Sequence, residues 1–226
     1  MTKVYPNSGG GSRTTAPQKV MRYSSSADEN QQEGAEVLTV WKKSLLFNCT
    51  GFTVFNAKGN LVFRVDNYLA GNKAEIVLMD AAGKPLLTIR RKRLSLGDNW
   101  LVFEGEKVVN PLFCVRKHVN ILNGKCLAYV SSSCGSSSSS RAGKKGSSVL
   151  YEIEGSYAQR SCGVYDQKRR RVAEIKRKEA AVGGVALGGD VFRLIVNEPH
   201  HLDTATAMSL VILLDQMFGS SSYSTR

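Results

Sequence analysis

Two kinds of hydrophobic pattern divide the chain. From Glu36 to Val196, apolar and polar residues alternate, or run apolar for five to eight positions, with turn residues about every dozen positions. A period of two puts every second side chain on one face, and short runs bounded by Gly, Pro, Asn and Asp read as strands joined by tight turns. The predicted strands in the first half are Leu38–Trp41, Phe52–Asn56, Leu61–Asp66, Ile76–Met79, Leu86–Arg91 and Trp100–Glu104. Those in the second half are Leu112–Lys117, Leu127–Val130, Leu150–Glu154, Gly163–Asp166, Val172–Arg177 and Val191–Val196. Consecutive strands at this spacing make a β-meander.

The second pattern begins after the breaker Glu198-Pro199. Asp203 is placed as an N-cap, Thr204–Met217 reads TATAMSLVILLDQM, and Gly219 can end the helix. Met208, Leu210, Val211, Ile212, Leu213 and Leu214 leave this helix no polar face through its middle. A helix apolar all round must be enclosed. Fourteen residues span about 21 Å, too short for a bilayer and suited to threading a small barrel.

An internal repeat strengthens the strand reading. Phe52–Phe63 and Ile76–Leu87 share one plan: apolar strand, Asn56 or Asp80, two residues, Gly59 or Gly83, apolar strand. The Asx side chain caps such a turn and Gly supplies its positive φ. A third copy runs from Gly163 to Lys178, with Arg169 where the turn glycine stands.

Composition fixes the margins. Residues 1–35, rich in Ser, Gly, Asn and Gln, and 220–226 read as disordered tails around a domain at 36–219; 131–148 reads as a flexible Ser-rich loop within it. Met1–Gly11 lacks the apolar run of a signal peptide. The expected setting is intracellular: cytoplasmic or peripheral at the membrane, with the nucleus as a further compartment. An odd count of five cysteines without C-x-x-C spacing points to free thiols, and His118, His200 and His201 are not at metal spacing with them. Neither a metal nor a cofactor is expected. G-x-S-x-G, H-E-x-x-H and the phosphate-binding loop pattern are absent, and Gly183–Gly189 fits neither nucleotide-binding spacing.

Charge is the one feature left to carry function. Lys and Arg number 31 against 19 acidic residues, a net of +12. Arg160–Lys178 holds eight basic residues against Asp166 and Glu174, and Arg90-Arg91-Lys92-Arg93 is a second, acid-free cluster. The candidate ligand-binding residues are Lys168, Arg169, Arg170, Arg171, Lys176 and Lys178, with Arg90 and Lys92 beside them. The three arginines replace Gly83-Lys84-Pro85 of the second hairpin. They are expected to be exposed at a projecting tip, free to meet an anionic surface.

Several of these segments resemble the LURP-one-related proteins of plants. They are Leu38–Phe47, Gly51–Phe55, Gly59–Tyr68, Ile76–Arg93, Tyr151–Gly155 and the terminal LVILLDQM, so the resemblance covers roughly Glu36–Gly219. It implies a mainly β fold: a closed antiparallel, tubby-like barrel of about twelve strands around a central hydrophobic C-terminal helix, as in the tubby C-terminal domain and the phospholipid scramblases. It carries over no catalytic residues. It implies a monomeric, non-enzymatic binding module, related to membrane-tethered transcription regulators that bind phosphoinositides and linked to plant defence. An anionic lipid or phosphoinositide is the first expected partner. Nucleic acid, or a protein scaffold using the basic face, is the second.

Overall fold

The alternating segments pair in the order in which they occur. The computed structural model describes residues 34–47, 49–68, 75–93, 97–119, 124–132, 134, 149–178, 188–197 and 201–219. Most of the expected tail 1–35, most of the Ser-rich loop 131–148, residues 183–187, His200 and the segment 220–226 lie outside the described residues. The first six strands are β1 (Glu36–Trp41), β2 (Cys49–Phe55), β3 (Leu61–Tyr68), β4 (Glu75–Asp80), β5 (Pro85–Arg91) and β6 (Asn99–Glu104). Then follow β7 (Phe113–Lys117), β8 (Cys126–Ser131), β9 (Val149–Ser156), β10 (Ser161–Asp166), β11 (Arg171–Arg177), β12 (Val191–Val196) and the helix α1 (Thr204–Phe218).

Each strand runs antiparallel to its neighbours in sequence, and β1 also pairs with β12, from Glu36↔Val196 to Trp41↔Val191. The sheet is therefore a closed barrel. Closure leaves no edge with unpaired backbone groups. Period-two alternation then fixes which side chains face the lumen: Leu38, Val40, Val54, Val65, Leu78, Ile89, Val102, Ile153 and Leu194 are all buried.

The helix fills that lumen. Eight consecutive residues, Ala207–Leu214, are buried, so no face of α1 meets water through its middle. Each Leu, Ile or Val enclosed this way contributes roughly 1.5–3 kcal/mol. The one hydroxyl among them, Ser209, is satisfied by donating to Thr206 O at 2.6 Å. Asp203 caps the N-terminus by accepting from Thr206 N at 2.9 Å. Gly219 ends the helix by proximity rather than by a left-handed turn: its φ is −63°, and a Cβ there would lie 2.3 Å from Asp215 O. The last turn carries no basic residue of its own, and the barrel wall supplies one. Lys117 Nζ donates to Met217 O at 3.0 Å, against the negative end of the helix dipole.

The three repeated hairpins share one geometry. In each, the Asx backbone N–H donates four residues ahead: Asn56 to Asn60 O, Asp80 to Lys84 O, Asp166 to Arg170 O, at 2.9–3.0 Å. In each, the register slips just before the turn, at Val54/Phe55, Leu78/Met79 and Val164/Tyr165. The third turn residue has positive φ: 81° at Gly59, 89° at Gly83 and 62° at Arg169. Arg169 thus adopts the glycine conformation itself, at a cost of about 1–2 kcal/mol for a residue with a Cβ.

An up-and-down barrel has two distinct ends. The repeated hairpins, the β6–β7 connection and the N-terminus of α1 lie at one, the hairpin end. The β1–β2, β5–β6, β7–β8, β9–β10 and β11–β12 connections lie at the other, the loop end. The C-terminus of α1 is there too, tied by Lys42 Nζ to Asp215 Oδ1 at 2.8 Å.

Candidate binding surfaces at the two ends of the barrel

The arginine tip lies at the hairpin end, exposed, and every arginine in it has an acidic partner. Arg169 reaches across to β9, Nη1 to Glu152 Oε2 at 3.0 Å and Nη2 to Glu154 Oε1 at 2.9 Å. Its guanidinium also stacks over Tyr165, 4.9 Å from the ring centre. Arg170 pairs with Asp166 at 2.7 Å, and Arg171 with Glu174 at 2.9 Å. Lys176 takes the other oxygen of Glu174 at 2.7 Å. The Lys168 backbone N–H donates to Asp166 Oδ1 at 2.9 Å, while its ammonium has no acidic partner among the described residues.

The electrostatics of this tip follow from those contacts. Burial would raise the Asp166 carboxyl, yet the backbone and side chain of Arg170 and the backbone of Lys168 hold it below its ordinary value. The Arg169 guanidinium is raised, chiefly by its bond to Glu154. Glu174, itself buried, is bracketed by two cations. The sequence shows a run of positive charge; the fold lays Glu152 and Glu154 of the adjacent strand alongside it.

The second basic cluster is compensated in part. Arg90 pairs with Glu75 across the β4–β5 ladder, Arg91 with Asp98 at 2.5 Å, and Lys92 Nζ donates to Cys134 O at 3.1 Å. Arg93 is exposed without an acidic partner. The arginine tip and the second cluster form no single patch, since they lie at opposite ends of the barrel; Arg160, Arg177 and Lys178 lie at the end of the second cluster.

Among the described residues, cations without an acidic partner stand at the hairpin end too, Lys58, Lys84, Lys107 and Lys168, and the loop end differs in setting them beside an exposed apolar connection. Lys43, Arg93, Lys125, Arg177 and Lys178 have no acidic partner among the described residues there. Of the candidate ligand-binding residues singled out from the sequence, Lys178 belongs to this group, and Lys92 lies at the same end with a carbonyl in place of an acidic partner. The β1–β2 connection beside Lys43 exposes Leu45, Leu46 and Phe47. Sequence reading passed these over, although an apolar triplet between two strands, where no alternation can bury it, is the signal that marks them.

A model of the LURP-one-related family matches residues 36–215, from the first residue of β1 to the last turn of α1. The chain belongs to the LURP-one-related family. It is similar to LURP-one-related 8 of Arabidopsis thaliana, 51% identical over 226 residues, which is 98% of this chain and all of that relative. LURP-one-related 17 and LURP-one-related 12 of the same plant are 43% and 42% identical, each over 80% of this chain and 82% and 78% of their own lengths. A crystal structure of an Arabidopsis thaliana protein superposes with a TM-score of 0.56, over 80% of this chain and 90% of that one. At 24% identity it bears on the fold, and it agrees with the twelve-stranded barrel.

Other groups in this LURP-one-related barrel are spent on structure. Arg160, at φ 53°, is clamped between Tyr157 and Phe192 and donates Nε to Gly189 O at 2.9 Å. Burial, then the neighbouring Asp215, pushes the Tyr157 phenol far above its usual range. Burial pushes the Cys162 thiol up to about 11. Burial and a hydrogen bond with Cys114 push Cys134 up to about 12. All five cysteines are free thiols. Among the described residues no group of His, Cys, Asp and Glu could hold a metal ion, and no helix is long and apolar enough to cross a membrane. At the hairpin end a cleft of about 740 Å³ runs between Lys84, Glu104, Glu106, Lys107, Val109 and Leu112, mixing both signs of charge.

Proposed function

We propose that this LURP-one-related chain is a non-enzymatic binding module that docks reversibly on an anionic bilayer through the loop end of its barrel. The observation that carries the reading is the group Lys43, Arg93, Lys125, Arg177 and Lys178, cations at one end with no acidic partner among the described residues. Each cation near an anionic membrane contributes ~1 kcal/mol, so a few together hold a domain reversibly. A binding role also suits an interior occupied by α1, since the ligand must then meet the outer surface. Groups that elsewhere serve as nucleophiles or bases are engaged here: Ser44 donates to Asp66, and Asp215 accepts from Lys42 and Tyr157. Phosphoinositides, with several charges per headgroup, are the favoured lipid, in line with the tubby resemblance. Reversible release from the membrane is the regulatory step by which such a module would act in plant defence.

Flotation with phosphatidylcholine vesicles, plain or containing phosphatidylserine or a phosphoinositide, tests this beside a titration with labelled duplex DNA over a salt series. The expected result is flotation that requires anionic headgroups, with DNA binding weak and indifferent to sequence. DNA binding tighter than lipid binding at the same salt would replace this reading with a nucleic-acid one. Retention by neither ligand would leave the cations as solubilising surface.

A further inference from the structure

Eight large apolar side chains are exposed among the described residues; three of them sit in the β1–β2 connection at the loop end, and a fourth, Trp41, is the last residue of β1 beside it. Trp41 is 40% exposed, Leu45 51%, Leu46 39% and Phe47 97%. A pliable loop would fold such side chains back onto the barrel. Here the stem prevents it. Lys42 N donates to Asp190 O at 2.7 Å, and Thr53 Oγ1 donates to Lys43 O at 2.6 Å. Ser44 is buried, donates to Asp66 Oδ1 and accepts from Leu46 N at 3.0 Å. Asp66 is itself fixed by Arg64, whose Nη2 lies 2.6 Å from Oδ2. The anchor is polar and internal, and the apolar tip is held out in water.

We infer that Leu45, Leu46 and Phe47 form a wedge that enters the headgroup–acyl boundary of an anionic bilayer, with Trp41 and Lys43 at the headgroup level. The inference rests on the bilayer reading above and deepens it by naming the part that inserts. Charge complementarity selects this occupant. Lys43 beside the tip has no acidic partner among the described residues, and neither do Arg93, Lys125, Arg177 and Lys178 at the same end of the barrel. Lys43 Nζ stands 5.1 Å from the Trp41 ring centre, so an amphipathic indole and a cation are presented together beside the tip. Indoles favour the membrane interface, and an apolar tip beside basic residues combines the two terms that set interfacial binding strength.

The test uses the full chain and phosphatidylcholine vesicles containing phosphatidylserine. Leu45→Ser/Leu46→Ser/Phe47→Ser is expected to keep the melting temperature and lose roughly tenfold to a hundredfold in vesicle affinity, since insertion scales with buried apolar area. Phe47→Trp, which keeps the tip apolar, is expected to show a blue-shifted emission on these vesicles and quenching by brominated lipid. Equal flotation of wild type and triple variant overturns the wedge while leaving electrostatic docking intact. Absence of wild-type flotation overturns the bilayer reading and the wedge with it. An unshifted Phe47→Trp spectrum on vesicles that the protein does bind overturns the wedge even if the triple variant misfolds. A concentration-dependent wild-type dimer in sedimentation, lost in the triple variant, would instead make the tip a contact between copies and overturn it too.

Discussion

The hairpin end and the loop end of this barrel both carry basic residues and use them differently. At the hairpin end, Arg169, Arg170 and Arg171 are exposed but engaged with Glu152, Glu154, Asp166 and Glu174. At the loop end, Lys42 and Lys117 are engaged with α1, while Lys43, Arg93, Lys125 and Lys178 have no acidic counterpart among the described residues. Positive charge along a sequence is therefore not positive potential in space. What matters is which strand is sewn alongside: β9 places two carboxylates beside the β10–β11 turn, whereas the two that reach the β1–β2 connection, Asp66 and Asp215, are taken up by Ser44, Arg64 and Lys42 and leave Lys43 without one.

The comparison presupposes the helix that joins the two ends, so the largest effect comes from removing it. Leu210→Asp buries an unpaired charge at a position 2% exposed, and the expected outcome is loss of cooperative thermal unfolding by circular dichroism. A cooperatively melting Leu210→Asp protein would mean that α1 is peripheral. Next comes charge reversal at the loop end. Lys43→Glu/Arg93→Glu/Lys125→Glu is expected to fold normally and to lose anionic-vesicle affinity by roughly a hundredfold, at ~1 kcal/mol per cation. A small effect there would move the site off this end.

The matching reversal at the hairpin end should behave in the opposite way. Arg169→Glu/Arg170→Glu/Arg171→Glu sets new carboxylates against Glu152, Glu154, Asp166 and Glu174, so stability falls while vesicle binding changes little. The melting temperature should drop by about 4–10 °C, from exposed pairs worth ~0.2–1 kcal/mol each plus the added repulsion. An unchanged melting temperature with lost binding would return the site to the tip. The smallest effect concerns acid. The Asp166 carboxyl titrates below its ordinary 3.8 in the folded chain, so its stabilising contribution is present above that value and fades as pH falls through the lowered one. Asp166→Asn should therefore flatten the acid side of the melting-temperature profile, and an unaltered slope would show that the turn does not depend on this charge.

All twelve strands and the helix were legible because each rests on a local rule. Val191–Val196 matches β12, and Thr204–Met217 stops one residue short of α1. Strand ends were less legible. β2 starts at Cys49 and not Phe52, because pairing with β3 as far as Tyr68 extends it past the apolar core. The repeat predicted the third hairpin, and the structure adds that Arg169 takes up the glycine φ. The site was the least legible part. Arg169 finds its partners 15 and 17 positions upstream, through a strand pairing that no local count of charge contains. Leu45–Phe47 was visible as a run but had no role in a search for charge.

Closure through β1 and β12 also has a consequence for synthesis. The first strand meets its second partner only after β12 has left the ribosome, and the helix that fills the lumen is made later still. Until then the nascent meander holds two open edges and a concave apolar face, the kind of surface that invites misassembly. Non-local pairing of the chain's two ends makes the final step slow, because loop-closure entropy is lost before any contact repays it. A chain terminated before Thr204 would thus be left with an unfilled lumen, and a fifteen-residue helix decides whether the strands made before it become a folded barrel.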